Sequence, residues 1–162
     1  MVLHLVGDLH QPLHTANLVT KDKLKGNGLG SSFLVLDQAG EPTNLHTFWD
    51  HSPGPDVSYQ TVTALANELA AAPELKPARL PEYHQQRTIP AWVQESFRIP
   101  VNFGYAENRV QYAVSADVKS GKNPASAIPA LRADYIRDAR IVAHRRLALG
   151  GVRLTDALKQ AW

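Results

Sequence analysis

The sequence predicts a mainly α-helical fold with one small β-hairpin, in a single domain over residues 1–162. Three observations carry this. Apolar residues recur at helical spacing in several segments, as in Val62, Leu65, Ala66 and Leu69. The strand signal is confined to one place, where Phe33-Leu34-Val35-Leu36 is followed by the turn Asp37-Gln38-Ala39-Gly40 and a short run before Asn44. A chain of 162 residues that is 44% hydrophobic and 20% charged matches one ordinary globular domain.

Taken in order, Val2, Leu5, Val6 and Leu9 place a helix over residues 1 to about 14, which Pro12 ends or kinks. Thr15 to Ser32 turns polar and carries Gly26, Gly28 and Gly30, so it reads as a loop. Asn44 can cap a short helix from Leu45 to His51, stopped by Pro53-Gly54-Pro55. Asp56 or Ser58 then caps the helix that carries Val62 to Leu69. Pro73, Pro77, Pro81 and Pro90 make 73–90 an irregular connection, and Pro90 fits the first turn of a helix through Trp92 and Phe97 to near Ile99. A short helix is expected around Ala106 to Val118. A long one from about Ala127 to Leu149 should stop at Gly150-Gly151, with a last helix over Leu154 to Lys159.

Composition excludes several classes. Without Cys there is no disulfide framework, thiolate metal site or cysteine nucleophile. Lys plus Arg is 17 against 15 for Asp plus Glu, a net charge of +2, which lacks the basic excess of a general nucleic-acid coat. No apolar run approaches the roughly 18 residues of a membrane span. The stretch Met1-Val2-Leu3-His4 has no basic or long apolar region of the signal-peptide kind. Neither a Gly-x-Ser-x-Gly elbow nor a P-loop occurs.

The chemistry lies in the first fifty residues. His4 and Asp8 are four residues apart, and His46 and Asp50 repeat that spacing. Positions i and i+4 lie about 40° apart on a helix, so each pair projects from one face. Random placement would give about 0.4 such pairs. The plain alternative for either is a surface ion pair worth a few tenths of a kcal/mol. Both pairs, however, are set in apolar sequence (Leu3, Leu5, Val6; Leu45, Phe48, Trp49), where an unpartnered carboxylate would be costly to desolvate. Imidazole with carboxylate suits Zn²⁺ better than Mg²⁺ or Ca²⁺. His14, just past the Pro12 break, together with His46 and Asp50 would supply three ligands and leave a fourth position for water. His4 and Asp8 make half a site, and Asp8 could bridge two ions. By angle, His10 faces solvent or the substrate rim. His51 sits at a helix end, and His84 and His144 read as surface residues. Lys21, Lys23 and Lys25 are either phosphate contacts or a solvated loop, and Trp49 and Trp92 are core.

The run Gly7-Asp8-Leu9-His10-Gln11-Pro12-Leu13-His14, with His4 before it and Asn44-Leu45-His46-Thr47-Phe48-Trp49-Asp50 after it, resembles the S1/P1 nuclease family. Trp92-Val93-Gln94-Glu95-Ser96 and Arg146 to Leu154 resemble it more diffusely. The resemblance implies the mainly helical S1/P1 nuclease and phospholipase C-like fold. It further implies a secreted or periplasmic enzyme with up to three Zn²⁺, acting as a monomer on single-stranded DNA and RNA to leave 5′-phosphates, with 3′-nucleotidase activity in many members. Carried over, His4 and Asp8 match ligands of a first zinc, Asp8 also reaches a third, and His14, His46 and Asp50 match the full protein set of the second. Gly26-Asn27 resembles the end of a Gly-Gly-Asn segment whose Asn helps bind the base, with Lys25 in place of the first Gly; a plain turn role beside Gly28 is the alternative for Asn27. The family's N-terminal Trp and its further His and Asp ligands have no counterpart here. The chain is therefore expected to be an N-terminally truncated C-terminal portion that holds at least one zinc at His14, His46 and Asp50 but hydrolyses nucleic acid poorly or not at all unless the missing part is restored. Two rivals stand beside this reading: a zinc-dependent phospholipase C-like hydrolase, whose last ligand is usually Glu where this chain has Asp50, and a non-catalytic metal-binding remnant.

Overall fold

The computed structural model describes residues 2–161 except 22, 55 and 107–109, and of residues 2 and 161 the backbone alone. Helix α1 (Val2–His10) runs up to Pro12, and a 3-10 turn (Pro12–Thr15) follows the break. The irregular segment to Ser32 leads into β1 (Phe33–Leu36), which turns back as β2 (Pro42–Asn44). Register pairs Leu34 with Asn44 and Leu36 with Pro42. β2 runs directly into α2 (Leu45–Asp50), and the Asn44 side chain accepts from Thr47 N at 2.9 Å. One residue thus ends the sheet edge and caps the helix. Expected and observed structure agree here; Pro55, part of the anticipated stop signal, lies outside the described residues.

Helix α3 (Tyr59–Ala71) is capped by Ser58. Of its anticipated apolar face, Leu69 is buried while Val62 remains 52% exposed. The prolines of 73–90 each open a turn: two 3-10 turns at Pro73–Leu75 and Pro77–Arg79, then α4 (Pro81–Gln85) and α5 (Ile89–Ile99), which Pro100 carries into a wide turn ending at Gly104.

Three expectations are corrected. The hairpin is a three-stranded antiparallel sheet, because β3 (Ala113–Val114) pairs with Leu34 and Phe33 on the free edge of β1. The helix expected over Ala106 to Val118 falls partly on 107–109, outside the described residues. Its described remainder gives β3 and the one-turn α6 (Ser115–Lys119), since Tyr112 stacks on Phe33 at 3.5 Å and draws the segment to the sheet. Finally, α7 (Ala133–Ala161) is one helix through Gly150-Gly151. Gly150 is there for closeness: a Cβ on it would meet His10 Cγ at 3.1 Å, so its bare backbone lets α1 lie against α7.

The face of α1 is also rotated from the expected one. Leu3 and Leu5 are 61% and 50% exposed, while Val6 and His10 are buried; the Val2 side chain is outside the described residues. His10 turns inward because α7 supplies its partners. Arg153 Nη1 lies 2.9 Å from His10 Nε2, and His10 Nδ1 is 2.7 Å from Val6 O. Burial first, and the Arg146 guanidinium next, push His10 down to about 4. The neutral ring therefore donates from Nδ1 and accepts at Nε2. Arg153 also holds both Glu95 oxygens, at 3.1 and 2.8 Å, and Glu82 O at 3.0 Å. Arg146 bonds Glu95 and Ser96 Oγ, and its Nε donates to His10 O at 3.3 Å, while Ser96 Oγ donates to Leu9 O. Burial works to raise Glu95, but Arg153 and Arg146 outweigh it and hold the carboxyl below the usual range. Nor does His144 lie free on the surface: it is half-buried, with Nε2 3.3 Å from Pro53 O. This network fixes the end of α1 from which the site starts.

Candidate metal centre

Helix α2 sorts its residues by two interleaved i, i+4 pairs. Leu45 and Trp49 are buried, and Trp49 Nε1 donates to Tyr135 Oη at 3.1 Å, which donates to Gly104 O at 2.9 Å. The neighbouring pair, His46 and Asp50, lies about 100° round the helix and is thereby left at the edge of the buried face, part-exposed. α1 repeats the arrangement, with Val6 and His10 inward and His4 and Asp8 outward.

The turn Pro12–Thr15 brings His14 to the α2 pair. His14 and His46 stack nearly parallel, centroids 4.9 Å apart and planes 12° off. His14 Nε2 lies 3.7 Å from Asp50 Oδ1, and His46 Nε2 lies 3.5 Å from Asp50 Oδ2. One ligand atom from each of the three falls within 4.8 Å of the others. These separations are too long for good hydrogen bonds. They are near the edge of about 3.3 Å expected between donors around a tetrahedral zinc with bonds of about 2.0–2.1 Å. The donor set fits a borderline cation, and its partial exposure (28%, 21% and 40%) leaves room for a further ligand.

Other contacts orient the donors. His46 Nδ1 lies 2.9 Å from Leu29 O, so as a donor it leaves Nε2 toward the cradle. Leu29 is in the left-handed region at φ 57, between Gly28 and Gly30. A Cβ on Gly30 would meet Leu13 Cδ1 at 2.9 Å and His46 N at 3.1 Å, so glycine is required where the loop crosses α2. Asp8 sits between the two halves, with Oδ2 3.1 Å from His4 Nε2 and Oδ1 3.6 Å from His14 Nδ1. Among the described residues no third donor joins His4 and Asp8. Asn27 is fully buried; its Oδ1 accepts from Leu18 N at 3.2 Å, and Nδ2 has no partner among the described residues. Its loop is held from outside by Asn17, whose Oδ1 accepts from Asn27 N at 3.0 Å and Leu29 N at 3.3 Å.

Sequence reasoning passed over Gln11, Leu29 and Asn17. For Gln11 a local signal existed, a polar residue directly before Pro12 at a helix break. Its Oε1 accepts from Leu13 N and His14 N, and its Nε2 donates to Asp50 Oδ1 at 2.8 Å.

Fold and site together define a mainly helical protein with a two-histidine, one-aspartate cradle able to hold a metal ion. A family described as S1/P1 Nuclease matches residues 1–162, and the chain belongs to that family. Nuclease S1 of Aspergillus oryzae is 45% identical to it over 49 residues, which make up 30% of this chain and 14% of that protein. No solved structure matches the chain.

Proposed function

We propose that the chain works as a zinc-dependent phosphodiesterase on single-stranded DNA and RNA, leaving 5′-phosphate ends, in the secreted or periplasmic setting typical of the family. The observation that carries this reading is the convergence of His14, His46 and Asp50 at spacings suited to a cation and not to each other. Membership of a nuclease family and the likeness to a protein named Nuclease S1 support the substrate class. Bound in the cradle, zinc would supply Lewis-acid polarisation of a phosphodiester oxygen and bring a water's pKa toward neutrality.

The chain's own residues have distinct parts. His14, His46 and Asp50 would hold the ion, and Leu29 O would keep the His46 ring in the tautomer that leaves Nε2 to the metal. His4 and Asp8 contribute to a second position, with Asp8 linking it to the first through His14. A cleft of about 470 Å³ adjoins the cradle, lined by Asp8, His14 and Asp50 among apolar residues that include Leu3, Val6 and Leu154. Such a mix suits a strand splayed so that its backbone meets the polar groups. Asn27, fully buried, serves the cradle through its loop, whose Leu29 O meets the His46 ring.

The test is digestion of matched single-stranded and duplex oligonucleotides with added zinc. Slow, zinc-dependent cleavage of the single strand to 5′-phosphate ends is expected, abolished by His46→Ala. Cleavage indifferent to zinc and to that substitution, or no cleavage at high protein concentration, contradicts the proposal. So does hydrolysis of a choline phospholipid in place of DNA.

A further inference from the structure

We infer that Gln11 is the positioning residue of the cradle, one amide group that fixes two of its three donors; the inference rests on the ligand assignment proposed above. A glutamine's oxygen and nitrogen are alike in shape, but here the protein decides between them. The backbone N–H groups of Leu13 and His14 both need an acceptor, so Oε1 faces them and caps the Pro12–Thr15 turn. Nε2 is left as the donor, and its partner is Asp50 Oδ1 at 2.8 Å, 39 residues away in sequence.

The two ends of the amide do different work. The oxygen end sets the backbone from which His14 projects. The nitrogen end occupies one oxygen of a carboxylate on the last residue of α2, 40% exposed and with no other hydrogen bond among the described residues. With Oδ1 engaged, Oδ2 faces His46 Nε2, and among the described residues no protein donor hydrogen-bonds it. Outer partners of this kind typically change metal affinity by about 10–100-fold when removed.

Capping and positioning can be separated. Ser and Asn are better caps than Gln, so Gln11→Ser and Gln11→Asn keep the turn but are too short to reach Asp50. Gln11→Ala removes both functions. The experiment measures zinc affinity by competition with a chromophoric chelator, and the visible spectrum of the Co²⁺ form, for the full chain and each variant, alongside metal-free urea unfolding. All three variants should bind zinc about 10–100-fold more weakly with a shifted cobalt spectrum, while the Ser and Asn variants keep the wild-type urea midpoint. Two short caps guard against one of them misfolding. Wild-type zinc affinity in either folded short-cap variant overturns the inference and leaves the ligand assignment standing. A wild-type chain that takes up no zinc overturns the ligand assignment itself, and this inference with it.

Discussion

His10 and His14 stand four residues apart, and the protein puts them to opposite uses. His10 is buried, neutral and hydrogen-bonded at both nitrogens, locked between α1 and the arginines of α7. His14 lies past the proline break, part-exposed, with Nε2 3.7 Å from Asp50 Oδ1, too distant for a good hydrogen bond. The same contrast separates Glu95, held by two guanidiniums, from Asp50, which meets a single amide and two imidazoles. An imidazole or carboxylate becomes available to a ligand where the scaffold leaves it incompletely partnered. The scaffold can do so here because its own charges are satisfied elsewhere.

That contrast can be broken most severely at Glu95. Glu95→Ala would strand two buried guanidiniums, and a loss of about 3–5 kcal/mol in urea unfolding is expected. An unchanged midpoint would show that the network is not a unit.

Acid is the next probe. The folded chain keeps His10 neutral down to about 4, whereas its ordinary value is 6.5, so between those values protons bind the unfolded state preferentially. Stability is full above pH 6.5, falls by roughly 3 kcal/mol as pH drops toward 4, and loses nothing more from this group below that. Glu95, held below the usual range, adds its own loss at the acid end of the scale. His10→Gln can still accept from Arg153 but cannot titrate, and urea midpoints against pH should flatten between 6.5 and 4. A wild-type profile already flat there contradicts the account of His10.

The smallest effect sits at the glycine pair. Gly150→Ala should destabilise by about 1–3 kcal/mol, because its Cβ crowds His10. Gly151→Ala meets nothing within 4 Å and should stabilise the helix by about 0.5–1 kcal/mol. A Gly150→Ala chain stabilised as Gly151→Ala is would show that α1 and α7 are not in close contact there.

These regions were not equally legible in the sequence. α2 was readable because everything that shapes it is local: the Asn44 cap, the buried pair Leu45 and Trp49, and the outward pair His46 and Asp50. The Gly150-Gly151 step was not, since a helix stop and a close-packing site share one composition, and only the approach of α1 tells them apart. His10 followed the wrong face because its partners, Arg146 and Arg153, lie more than a hundred residues away. β3 is two residues long, too short for any periodicity to register. In the cradle, the donor types and their spacing were local and visible. The amide that joins His14 to Asp50 was visible only at its capping end.

The cradle is proposed as a zinc site carried by a scaffold that stays folded without the ion. Zinc stoichiometry by equilibrium dialysis, paired with metal-free urea unfolding, tests this most directly on the wild type and on Asp50→Ala. At least one zinc per wild-type chain is expected, with loss of that zinc in Asp50→Ala and metal-free midpoints that agree within about 0.5 kcal/mol. A wild-type chain that stays empty in excess zinc, or an Asp50→Ala chain that binds as the wild type does, would contradict it.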